Sequence, residues 1–98
     1  MSKQKAVTRK SSGITPRRED HVIWKTVKGR GILINLEDGS YFEVDPVGLT
    51  IWKLCDGRTD LGSIAQAVAK EFKASLAQVT RDLPTFVLGL KRKNLLVT

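Results

Sequence analysis

The stretch L-E-D-G-S-Y-F-E-V-D-P-V-G-L-T-I-W-K-L-C-D-G, residues 36–57, sets a turn, a strand, a helix start and a helix stop in immediate succession. Asp38-Gly39 is a hairpin signal, because glycine accepts the positive φ that short turns require. Tyr41, Phe42, Glu43 and Val44 follow as an aromatic, β-branched strand. Asp45 is suited to cap the first free N–H groups of a helix, and Pro46 suits its first position, where a missing N–H costs nothing. The spacing predicts a helix from about Pro46 to Cys55, stopped by Gly57. Its inward stripe is Val47, Ile51 and Leu54, widened by Gly48, Trp52 and Cys55.

Working upstream, HVIWKTV (21–27) and ILINL (32–36) alternate with the breakers KGRG and EDGS, which predicts a three-stranded meander ending in YFEV. Downstream, a second helix starts near Thr59 or Asp60, places Leu61, Ile64, Ala65, Val68 and Phe72 on one face, and ends near Lys73. A third begins with Ser75 and Gln78 as a capping box and repeats Leu76, Val79, Leu83, Phe86 and Leu90 at steps of three and four. Pro84 falls inside that series; it deletes an N–H and collides with the Thr80 carbonyl, so a kink or local break is expected, at about 3 kcal/mol. Lys91, Arg92 and Lys93 close the helix, Asn94 takes a left-handed cap, and Leu95, Leu96 and Val97 fold back on the core. Three strands followed by three helices define an α+β architecture, a three-stranded antiparallel sheet followed by a three-helix bundle.

Ninety-eight residues suffice for one small domain and one core. A single cysteine, Cys55, excludes an internal disulfide, and with one histidine, His21, no Cys/His metal site has the required spacing. A reducing, cytoplasmic setting is expected. No apolar run reaches the length of a membrane span, and the start MSKQKAVTRKSSG lacks a signal peptide's apolar segment. Residues 1–20 carry six Lys and Arg against two acids, more than half of the net charge of +7. Being poor in apolar residues, they read as a disordered basic tail ahead of a folded domain over residues 21–98.

That charge raises the alternative of a winged-helix nucleic-acid-binding regulator. Two observations argue against it. The third helix carries one arginine in its first half, Arg81, followed at once by Asp82. The hairpins also precede the helices, whereas a winged-helix DNA reader places its recognition helix before the wing. No catalytic constellation appears. His21 reads as an exposed strand-start residue, Cys55 as a core thiol, and Glu37, Asp38, Asp45 and Asp56 as carboxylates at turns and helix ends. No enzyme activity, metal or cofactor is therefore expected. What remains is YFEV, the last strand of a meander and so a sheet edge with unpaired backbone groups. Such an edge either accepts a peptide strand or pairs with a second copy, leaving monomer and dimer open.

Residues 33–97 resemble the PqqD-like family, also called RiPP recognition elements. The residues that carry the likeness are LEDGSYFEVDPVG, then IWKLCDGRTDLGSIAQAVAKEF, then the apolar series of the third helix ending in NLLV. The resemblance implies a winged-helix-like domain that binds the leader of a ribosomally synthesised precursor peptide. The leader would add as an antiparallel strand beside the third strand and pack on the third helix. It points to Tyr41, Phe42, Glu43 and Val44, and to Val79, Leu83, Phe86, Val87 and Leu90, as peptide-binding candidates. The partners it implies are the leader peptide and a modifying enzyme: a radical SAM enzyme in cofactor (PQQ) or thioether pathways, or a leader protease and cyclase in lasso-peptide pathways. Pro84 and Asn94 depart from the family pattern, the latter where glycine is frequent.

Overall fold

A computed structural model describes residues 13–98. The order is β1 (Arg17–Arg18), β2 (Val22–Val27), β3 (Arg30–Asn35), β4 (Tyr41–Val44), α1 (Pro46–Leu54), α2 (Leu61–Phe72), α3 (Leu76–Arg92) and β5 (Leu96–Val97). The expected meander is β2-β3-β4, all antiparallel. Lys28 and Gly29, both at positive φ, make the two-residue turn between β2 and β3, the twist a tight hairpin needs. The Asp38-Gly39 turn is longer than a two-residue hairpin. Asn35 N–H donates to Ser40 O at 2.9 Å and Gly39 N–H to Asn35 O at 2.8 Å, so residues 36–39 form the loop. The Asp38 carboxylate accepts from the Ser40 N–H and hydroxyl at 2.9 and 2.6 Å, and these bonds hold its pKa below the usual carboxylate value.

Each helix starts on a side-chain cap. Asp45, Asp60 and Ser75 accept from the N–H groups of Gly48, Ser63 and Gln78 at 2.7, 2.8 and 3.3 Å. Helix α3 ends as a left-handed turn. Asn94 stands at φ 60, its N–H donates to Lys91 O, and Leu95 N–H reaches back to Leu90 O, both at 3.0 Å, which drives Leu95 into the core. The break expected at Pro84 does not occur; α3 is continuous from Leu76 to Arg92. Pro84 and Thr80 are both exposed residues, and at such a position water can take the place of the lost N–H.

The sheet packs its inner face on the helices through Leu33 and Val44, against Leu49, Trp52, Ile64, Val68, Leu83 and Leu95. Gly31 allows this approach: a Cβ there would lie 2.8 Å from Leu49 Cδ1 and 2.9 Å from Val44 Cγ2. Cys55 is fully buried and its Sγ donates to Ile51 O at 3.2 Å. Burial pushes this thiol up to about 12 from an ordinary value near 9. Above pH 9 the unfolded chain therefore releases a proton that the folded chain retains, and stability falls as pH rises, by roughly 1 kcal/mol per pH unit until the folded thiol ionises. Denaturant titrations at pH 8 and 10 should show this loss, and Cys55→Ala should remove that part of the slope; an unchanged slope would contradict it.

The sequence places residues 1–20 in a disordered tail, and for residues 13–20 the structure corrects this; residues 1–12 lie outside the described residues. Pro16 is fully buried. Strand β1 pairs antiparallel with β5, Arg17 opposite Val97, and this segment exchanges backbone bonds with Leu61, Gly57, Cys55 and Leu95. The Arg18 guanidinium donates to Trp52 O at 3.0 Å and Lys53 O at 2.7 Å, satisfying carbonyls at the end of α1. Backbone pairing and capping order this segment, which needs few apolar side chains of its own. His21 is corrected too: it is half-buried, its Nε2 lies 2.8 Å from Asn94 O, and its Nδ1 is 3.7 Å from Glu37.

Candidate peptide-binding groove

Strand β4 is the sheet edge, and no other strand among the described residues pairs with its outer side. The register assigns its backbone groups. Asn35 bonds to Ser40, and pairing alternates from there, so Phe42 and Val44 direct their N–H and C=O toward Leu33 and Gly31. Tyr41 and Glu43 direct theirs away from the sheet, unpaired among the described residues. Side chains alternate as well. Tyr41 is 72% exposed on the outer face, and Glu43 receives Arg30 Nε at 2.9 Å across that face, an exposed pair of little energetic weight. Phe42 and Val44 turn inward; Val44 is buried, and the half-buried Phe42 ring lies under the Lys93 ammonium at 5.3 Å.

Beyond the end of β4 a cavity of about 240 Å³ opens between α1 and α3. Ile51, Val68 and Leu83 form its buried floor, and the more exposed Val47, Val79 and Phe86 form its walls. Asp45, Gln78 and Asp82 supply the polar lining. Gly48 sets its shape: a Cβ there would stand 3.0 Å from Val44 Cβ and 3.1 Å from Phe86 Cζ. The absent side chain lets the first turn of α1 sit directly on the strand and the Phe86 ring.

Of the residues singled out from sequence, Val79, Leu83 and Phe86 line this cavity, with the exposed edge of Tyr41–Val44 beside it. Leu90 is a core residue. Val87 lines a different depression, with Ile14, Leu61 and Leu88. Sequence reading missed Asp45, Gln78 and Asp82 as groove residues. It also took Val47 as core, yet Val47 is 37% exposed at the cavity wall. The start of α1, immediately after an edge strand, is the signal that points to Asp45 and Val47, whereas Gln78 and Asp82 sit one turn apart on α3 beside Val79 and Leu83. The Asp56 carboxylate is held below its usual pKa by the N–H groups of Arg58 and Thr59, the behaviour of a turn-forming acid. Chemically, the arrangement offers unpaired backbone groups, an apolar recess and flanking charges. None of the described helices is long and apolar enough to cross a membrane.

This combination, a three-stranded meander followed by three helices, is the α+β fold of solved RiPP recognition elements. The family model for coenzyme PQQ synthesis protein D (PqqD) matches residues 30–96, and the chain belongs to that family. It is similar to TbiB1, solved in complex with the TbiA(beta) leader peptide, with 31% identity, 82% of this chain and 93% of that chain covered, and a TM-score of 0.74. It is similar also to the PqqD truncation of Methylobacterium extorquens PqqCD, described as a functional, stand-alone RiPP recognition element (25% identity, 90% and 94% covered, TM-score 0.70). A lasso peptide synthetase B1 complexed with its leader peptide shares the fold at 15% identity, with 87% and 100% covered and a TM-score of 0.75. The comparison with curated proteins found no match.

Proposed function

We propose that this protein binds the leader region of a ribosomally synthesised precursor peptide and delivers it to a modifying enzyme, without catalysing a reaction itself. The observation that carries the proposal is the unpaired edge of β4, with Tyr41 and Glu43 offering backbone donors and acceptors beside the recess lined by Val79, Leu83 and Phe86. An extended peptide would gain affinity from strand addition and selectivity from that recess. Phe42, Val44 and Leu90 shape the site from beneath. The peptide-binding domain includes residues 13–20, because the β1 segment is part of the folded unit. Two of its structural relatives are leader-peptide complexes, which supports the reading. Delivery is an effect of concentration: once the leader is held, the remainder of the precursor meets the enzyme almost intramolecularly. A radical SAM enzyme, or a leader protease with a cyclase, fits this role, in the cytoplasm.

The test is fluorescence anisotropy with a labelled leader from a short precursor peptide sought among the neighbouring reading frames. Saturable binding is expected for that leader, and little for a scrambled leader or a DNA duplex. Stronger binding to the duplex, falling steeply with salt, would instead favour the nucleic-acid reading.

A further inference from the structure

The flank of α3 that faces the strand edge is not uniform. Asp82 and Phe86 line the recess, and Lys93, eleven residues after Asp82, lies over the Phe42 ring. On a 3.6-residue helix Asp82, Phe86, Gly89 and Lys93 fall along one flank. The groove thus has an acidic end, where Asp82 joins Asp45 beside the apolar recess, and a cationic end at Lys93. Gly89 lies between them and has no structural reason to be glycine. A Cβ there would meet nothing within 4 Å, no positive φ requires it, and glycine costs about 1 kcal/mol against alanine in a helix interior. A bare stretch of helix flank is what the close approach of a second backbone needs.

Resting on the proposed leader binding, we propose that the groove reads the charge order of its ligand. The ligand is an extended peptide with Lys or Arg beside an apolar anchor in its N-terminal half, and Asp or Glu in its C-terminal half. The direction follows from the sheet. Every pair in the meander is antiparallel, antiparallel pairing is the more stable per residue, and a strand antiparallel to β4 sets its N-terminal end at the Val44 side, next to Asp45 and Asp82. The spacing follows from geometry. Eleven helical residues rise about 16 Å, which an extended chain covers in about five residues, so the acid stands about five positions after the base. The charges that meet the ligand are exposed. Among the described residues Asp82 has only a loose contact with Arg81, at 3.8 Å and with both side chains largely exposed, and a peptide cation competes for it directly. Each correctly placed charge contributes modestly to affinity and more to register.

A displayed library of random decapeptides, sorted against the whole protein and against an Asp82→Lys, Lys93→Glu double variant, tests this. Both substitutions are at exposed positions, and circular dichroism confirms that the variant is folded. Wild-type binders should be enriched in a basic residue followed about five positions later by an acidic one. The double variant should select the opposite order, and should bind synthetic wild-type selections about tenfold more weakly. Wild-type binders with the reverse order, binders without charge bias, or a double variant that keeps the wild-type preference would each overturn the polarity while leaving strand capture standing. A library that yields no enriched binder would overturn both.

Discussion

Glu43→Pro is expected to weaken leader binding at least thirtyfold while shifting the melting temperature by no more than a few degrees. The two effects separate because of register. The Glu43 N–H points away from the sheet, so proline there removes a donor that only an incoming strand would use, and its ring occupies the free edge. Its native side chain loses only the exposed Arg30 pair. Phe42→Pro, one residue earlier, removes an N–H directed at Leu33 across the ladder, and is expected to cost about 3 kcal/mol and unfold much of the population. Anisotropy and thermal melts on the two variants check this directly. Equal leader affinity for wild type and a folded Glu43→Pro protein would show that the peptide does not add to β4.

The second large effect concerns stability. Trp52 is fully buried at the centre of the core, and its indole N–H has no hydrogen-bond partner among the described residues. Trp52→Ala should cost about 3–5 kcal/mol, a large share of the roughly 5–10 kcal/mol that holds together a domain of this size. The orphaned donor makes a second outcome specific. Trp52→Phe loses part of the ring volume but also removes the unsatisfied N–H, so its cost should be about 1 kcal/mol. Denaturant titration of both variants gives the two values, and a Trp52→Phe loss as large as that of Trp52→Ala would show that relief of the unsatisfied N–H does not offset the lost indole volume.

Local physics made most of the scaffold legible. The meander, the caps at Asp45 and Ser75, and the left-handed Asn94 each depend on a few neighbouring residues whose chemistry is explicit. The N-terminal segment was misread because its order comes from backbone pairing with β5 and from Arg18 capping α1, neither of which leaves an apolar pattern. Pro84 shows the same limit: its identity gives the cost, but only the fold shows that it and Thr80 are exposed. The edge strand of the site could be read from the order of the strands. Periodicity gave α3 one apolar stripe, yet the folded helix divides it: Val79, Leu83 and Phe86 line the recess, whereas Val87 serves another depression. Val47 was assigned to the core by spacing alone, and the recess that exposes it exists only when α3 is in place.

The pairing of β1 with β5 nearly closes the described residues into a ring, with Arg17 and Val97 side by side. Ile14 and Thr98 line one depression as well, so the two ends of the described segment lie close together. A circularly permuted chain that keeps residues 13–98, with a short flexible linker from residue 98 to residue 13 and new ends opened in the exposed loop at residues 36–39, would keep every strand and helix of the groove.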